Sequence, residues 1–316
     1  LSKMSKEKII SFDLETTGRK PYREGHRIIA CSVSNGVYSY GFPYFDDPEF
    51  IDSWNSLMQG PSYKIGHNVK FDCLWMRVRG GLKHTESLWP TNILWDTMLA
   101  AHILNNKKKT NLKYLTYIYL GVAGYDNSID KYLESKRSEL DDFGSNSFNR
   151  IEQAPIDELL KYNAMDSLVT YKMYEIQNTE MTEGMKKAQN LFVQGSMELT
   201  KAEYNGLHCD KEETEKSMMR ISKKMKFYED KVYSSEELKK WDREEKFSIS
   251  STQDLSHLLF DILKYPYTTT TSTGKPKADK KSIEKYNSSP FVQDILEWRK
   301  WKKTRDTYLK GIVVES

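Results

Sequence analysis

Cysteine is scarce in this 316-residue chain: only Cys31, Cys73 and Cys209 occur, far apart and without metal-ligand spacing. So sparse and odd a set argues against a disulfide framework and fits free thiols in a reducing compartment. Long apolar runs are absent too. No stretch approaches the roughly 18 residues of a membrane span, so no membrane partner is expected. The opening "LSKMSKEK" lacks the apolar centre of a signal peptide, which argues against secretion. No repeat recurs at solenoid periods.

What is present is ordinary for a folded protein, with 38% hydrophobic and 29% charged residues and enough length for two domains. The net charge of +3 is unevenly spread. Residues 1–200 carry 24 basic and 25 acidic side chains, whereas residues 201–316 carry 24 and 20. The surplus gathers in "KPKADKKSIEK" and "EWRKWKKTRDTYLK". Such runs fit a solvated helical face or a polyanion-binding one.

The first part mixes strand-like and helix-like segments. "KIISFDL", "HRIIACSVSN" and "VYSYGFPY" read as successive strands, and "YKIGHNV" as a fourth. "DDPEFIDSWNSLM", "KFDCLWMRV", "WDTMLAAHILN" and "TNLKYLTYIYL" read as helices, residues 121–150 as a polar connection, and the segment from Pro155 to Met181 as one long helix. The pattern predicts an α/β fold whose mixed sheet is flanked by helices. Beyond about residue 184 the texture becomes helical. "SISSTQDLSHLLFDIL" offers capping serines, "YPYTTTTSTGKPKAD" reads as a loop, and "FVQDILEWRKWKKTRDTYLKGI" as a final long helix.

Acids sit where a core strand should be apolar. Asp13 and Glu15, two apart on a strand, share a face and repel each other. "GHNVKFDC" sets Asp72 at the start of a helix, where it reads either as a helix cap or as a ligand beside Asn68 and Phe71. "KYNAMDSL" places Tyr162 and Asp166 four apart on one helical face. Left uncompensated, such a cluster is costly to bury. Two divalent cations, Mg²⁺ or Mn²⁺, would resolve the conflict and could clamp both oxygens of a phosphoryl transfer. His67 and Asp96 read as structural.

Taken in order, Asp13-x-Glu15, Asn68-x-x-Phe71-Asp72 and Tyr162-x-x-x-Asp166 resemble the three motifs of the DEDD exonucleases in their tyrosine subtype. The resemblance implies a ribonuclease-H-like fold and 3′→5′ removal of nucleotides. It casts Asp13, Glu15, Asp72, Tyr162 and Asp166 as catalytic, and the four carboxylates as metal ligands. Thr16, Thr17, Asn68 and Phe71 become candidate contacts to the substrate.

The second half is similar to the thumb of family A DNA polymerases, the group of bacterial DNA polymerase I. "MELTKAEYNGLHCD" resembles their exit from the exonuclease domain, and "TSTGKPKADKKSIEKY" their thumb tip. The division implied is an exonuclease domain over 1–183 and a mainly helical, thumb-like region over 184–316. Under this resemblance Lys275, Lys277, Arg299, Lys300, Lys302, Lys303 and Arg305 become candidates for phosphate contact. A single-stranded DNA 3′ end in the exonuclease site and duplex at the thumb are the implied partners. The compartment implied is the cytoplasm of a bacterial or virus-infected cell.

No segment matches the family's palm or fingers, so a truncated chain or one half of a split polymerase is expected, with a separate palm-and-fingers chain as a possible partner. Two other readings stay open. One is an RNA-processing exonuclease of the same subtype, and the other a non-catalytic DNA-binding subunit.

Overall fold

The computed structural model describes residues 1–81 and 89–315, which separate into two compact units, Leu1–Leu207 and from His208 onward. The first unit is built on a five-stranded sheet in the order β3-β2-β1-β4-β5. Strand β1 (Ile9–Thr16) lies antiparallel to β2 (Ile28–Ser34), which pairs antiparallel with β3 (Ser39–Pro43). On its other edge β1 runs parallel to β4 (Tyr63–Gly66), and β4 parallel to β5 (Ile93–Asp96). The mixed sheet predicted from the sequence is therefore present.

The two faces of β1 are chemically different. Ile10, Phe12 and Leu14 enter an apolar core with Cys31 and Val33 of β2. Trp54 and Met58 of helix α1 (Pro48–Gln59) and Trp75 of α2 (Val69–Arg79) close that core. Alternation sends Ser11, Asp13 and Glu15 to the opposite face, paired across to Ser34, Ser32 and Ala30.

That second face is covered by α7 (Ile156–Glu180), which follows α3 (Thr97–Leu104), α4 (Leu112–Leu120) and the short helices α5 (Asp130–Leu133) and α6 (Arg137–Phe143). The hydroxyls of Ser11, Ser32 and Ser39, one from each of three strands, donate to the carbonyls of Ser167, Asn163 and Ala164 at 2.6–2.7 Å. Bonds of that length require small side chains between helix and sheet. At Gly41 of β3 an added Cβ would lie 2.5 Å from the Leu160 carbonyl oxygen. Gly41→Ala is therefore expected to destabilise the fold by roughly 1–3 kcal/mol, read as a lower urea midpoint with an unchanged slope.

Three local differences from the sequence pattern have clear causes. "WDTMLAAHILN" divides between a strand and a helix, because Asp96 ends β5 and caps α3 with bonds to the amides of Met98 and Leu99. The polar stretch 121–150 holds two short helices rather than connection alone. Helix α8 (Glu183–Asn205), placed by its sequence with the second region, packs on the first, because Val193 and Met197 join its core.

The second unit is helical. Helices α9 (Lys211–Tyr233), α10 (Thr252–Ser256), α11 (Lys280–Ile283), α12 (Pro290–Lys303) and α13 (Lys310–Glu315) surround a core that includes Ile221, Met225, Leu255, Leu259, Ile283, Val292, Ile295 and Trp298. The Ser251 hydroxyl caps α10 by accepting from the Asp254 amide, as the serine-rich segment predicts. Among the described residues no helix is long and apolar enough to cross a membrane.

Candidate active site

Where α7 crosses β1, one carboxylate oxygen from each of Asp13, Glu15 and Asp166 falls within 4.8 Å of the others. Glu15 and Asp166 are 7% and 6% exposed, while Asp13 keeps part of its surface open to solvent. None of the three forms an ion pair among the described residues. Burial first, and then mutual repulsion, with Asp166 and Asp72 the strongest neighbours, holds the Asp13 and Glu15 carboxyls well above the usual carboxylate range. Burial raises Asp166 to about 6, against the opposing pull of hydrogen bonds from Tyr125 and Tyr162 and the charge of Lys113.

Asp72 stands outside this compact trio. Its Oδ1 accepts the Leu14 amide at 3.1 Å, which fastens α2 to the middle of β1. It is 2% exposed, and burial pushes its carboxyl up. Both oxygens of Asp96 position that helix as well, one accepting from Asn68 N and the other from Val69 N, in addition to capping α3. The structural role expected for Asp96 is visible here. His67 is partly buried, hydrogen-bonded to Thr97 at 2.9 Å and lowered to about 4 by burial.

The other sequence candidates divide. Tyr162 is 7% exposed beside Asp166, and burial, then the acids around it, raises its phenol. Asn68 adopts the left-handed conformation (φ 57°) at the start of α2, and its side chain does not cap that helix. Phe71 packs against the first core, 6.1 Å from the Trp75 ring. The Thr16 hydroxyl donates to the Gly18 carbonyl, and the Thr17 hydroxyl meets His26 Nδ1 at 2.8 Å. Both threonines thus use their hydroxyls to shape the end of β1. Gly18 completes that turn, since a Cβ there would lie 2.5 Å from the His26 ring.

Three residues at the site carry no motif signal in the sequence. Asn163 Nδ2 donates to Asp13 Oδ2 at 2.8 Å. The Tyr125 hydroxyl donates to Asp166 Oδ1 at 2.6 Å, and its ring stacks on Tyr162 with centroids 5.9 Å apart. Lys113 bonds Asp126 at 2.7 Å and Asp130, with its ammonium 5.7 Å from the centre of the Tyr162 ring. The position of Asn163 between Tyr162 and Asp166 is the one available cue. Tyr125 and Lys113 lie in segments of unremarkable composition.

In the second unit the basic candidates are also unequal. Arg299 is largely occupied, donating Nη1 to the Ala278 carbonyl at 2.7 Å, and burial lowers its guanidinium. Lys300 pairs with Glu297 and Arg305 with Asp306, while Lys277 stands 3.9 Å from Asp279. Lys275, Lys302 and Lys303 form no ion pair among the described residues. Lys302 and Lys303 border a cavity of about 330 Å³ together with Trp298 and Asp279.

Strand β1 and helix α7 thus bring together three carboxylates, beside a phenol, that could hold a metal ion. The model of the 3′-5′ exonuclease family attached to DNA polymerase A matches residues 1–182, and that of DNA polymerase family A matches residues 211–315. The chain belongs to the family A DNA polymerases, with a 3′-5′ exonuclease domain as its first part.

It is 22% identical to DNA polymerase I of Borreliella burgdorferi over 99% of this chain and 32% of that protein. With the DNA polymerase of Bacillus phage SP01 it shares 25% identity over 75% of this chain and 29% of the relative. The chain thus spans about a third of these relatives' length. The fold matches the POL domain of Pol1 from M. smegmatis, solved in complex with DNA primer-template and dNTP, with a TM-score of 0.68 and 17% identity. The match covers 99% of this chain and 48% of that one.

Proposed function

We propose that the first unit shortens DNA from its 3′ end, one nucleoside 5′-monophosphate at a time, as the proofreading nuclease of a replicative polymerase. The observation that carries this reading is the trio Asp13, Glu15 and Asp166, brought together without a paired cation inside the exonuclease-family segment. Hard oxygen donors that burial and repulsion hold above their usual range suit Mg²⁺ or Mn²⁺. Asp13, Glu15 and Asp166 would hold one ion, and Asp72 with Asp13 a second. When bound, such ions supply a low-pKa water and stabilise the leaving oxygen.

The protein's own groups supply the rest. Tyr162, whose phenol burial and then the neighbouring acids raise above its usual range, orients the attacking water through its hydroxyl. Asn68, whose side chain does not cap α2, remains a candidate for the substrate backbone, and Phe71 for the terminal base. Thr16 and Thr17 shape the floor on which the 3′ end rests. In the second unit Lys275, Lys302 and Lys303, which form no ion pair among the described residues, lead the candidates for duplex phosphates, with Lys277, Lys300 and Arg305 in surface pairs and Arg299 bonded to the Ala278 carbonyl. A palm and fingers, in a continuation of this chain or in a separate one, would complete the polymerase, in the cytoplasm of a bacterial or virus-infected cell.

Matched DNA and RNA oligonucleotides labelled at the 5′ end test this reading. With Mg²⁺ or Mn²⁺ the single-stranded DNA is expected to shorten in one-nucleotide steps from its 3′ end, and chelator to stop it. Preferential digestion of RNA would favour an RNA-processing enzyme, against which the thumb-type match over residues 211–315 already speaks. Binding to DNA without cleavage in either metal would leave only a DNA-binding subunit.

A further inference from the structure

Asp166 is the one acid of the trio contributed by α7, and its carboxylate is engaged by a residue from a separate loop. Tyr125 lies in the segment joining α4 to α5, and its hydroxyl donates to Asp166 Oδ1 at 2.6 Å. We propose that Tyr125 is a positioning residue for metal binding: it fixes one oxygen of Asp166 so that the carboxylate is set before an ion arrives. This rests on the reading of the trio as a metal site.

Three observations show a loop built to hold that hydroxyl in place. Gly121 and Gly124 both take positive φ, 68° and 71°, so the chain turns sharply on either side of residues 122–123 and delivers Tyr125 inward. Immediately after it, Asp126 bonds Lys113 of α4 at 2.7 Å, and Lys113 also holds Asp130. The Asp126 carbonyl accepts from the Ile129 and Asp130 amides, and Ile129 is fully buried in a cluster with Ala30, Leu159 and Tyr162. The loop is thereby anchored by charge at one end and by apolar packing at the other.

The stacked Tyr162 ring limits sideways movement of Tyr125 itself. A carboxylate that ligates an ion is commonly oriented in this way by a hydrogen-bond donor behind it, and losing the donor lowers metal affinity about 10–100-fold. Asn163 plays the matching part for Asp13, through its bond to Oδ2.

Tyr125→Phe removes the hydroxyl and retains the ring that packs on Tyr162. Calorimetric titration of the whole chain with Mn²⁺, without nucleic acid, is expected to show roughly 10-fold weaker binding in the variant. The Mn²⁺ concentration giving half-maximal cleavage of a DNA oligonucleotide should rise by the same factor, with the rate at saturating Mn²⁺ within about threefold of the parent. Circular dichroism melts establish that the variant is folded. Mn²⁺ affinity within twofold of the parent would overturn the positioning role and leave the metal site standing. If the unaltered chain binds no Mn²⁺, the metal-site reading fails, and this inference falls with it.

Discussion

Asp13→Ala combined with Glu15→Ala is expected to lower metal-dependent shortening of single-stranded DNA by roughly a thousandfold or more. The two residues supply adjacent oxygens on one strand face, and no other carboxylate reaches the same compact group among the described residues. Loss of activity alone would not separate a missing ligand from a damaged fold, so stability provides the second readout. In chelator near pH 8 the double variant should melt above the parent protein. Ionising buried, mutually repelling carboxylates is worth several kcal/mol, whereas the hydrogen bond that Asn163 loses with Asp13 is worth about 1.5–3 kcal/mol. Addition of Mn²⁺ should raise the parent's melting temperature and leave the variant's nearly unchanged. Undiminished nuclease activity in the variant would remove these residues from the mechanism.

Without metal, the stability of the chain should fall as pH rises from about 4 to 8. Asp13, Glu15, Asp72 and Asp166 all hold their protons more tightly folded than unfolded, chiefly because burial disfavours their charged forms. A raised carboxyl stabilises the fold fully below its unfolded pKa and loses that contribution as pH climbs through the folded value. For Asp166 the window runs from 3.8 to about 6, a difference on the order of 3 kcal/mol. Urea melts in chelator at pH 5 and pH 8 provide the measurement, with the lower midpoint expected at pH 8. Saturating Mg²⁺ or Mn²⁺ should shrink that difference, because ions bound to the ionised carboxylates favour the folded state at high pH. A midpoint in chelator that is flat with pH would contradict the buried acidic site.

The acids that make up the site were legible because their spacing violates what surrounds them. Asp13 and Glu15 interrupt an apolar strand, and Asp166 lies one helical turn beyond Tyr162. Strand alternation and helical periodicity, both local properties, were enough to put each pair on a face. The partners behind the acids were not legible. Tyr125 reaches Asp166 across 41 positions of sequence, and Lys113 acts from a different helix, so no short-range pattern marks either. Thr16 and Thr17 show the same limit. They stand beside a motif in the sequence, and only the fold shows their hydroxyls bonded to the Gly18 carbonyl and to His26.

Strand β5 was hidden for a related reason. "ILWD" is apolar enough for either element, and only the capping bonds of Asp96 show where strand gives way to helix. Helix α8 needed tertiary knowledge, since its buried Val193 and Met197 could have faced either neighbour.

The row of serines beneath α7 has a consequence for how this nuclease can vary. Ser11, Ser32, Ser39 and Gly41 set the clearance between helix and sheet, and that clearance sets the span across which Asp166 meets Asp13 and Glu15. A single added methyl under the helix would change the reach of the whole constellation without touching an acid. The chain's tolerance to mutation should therefore follow a spacer made of its smallest side chains, as well as the carboxylates themselves.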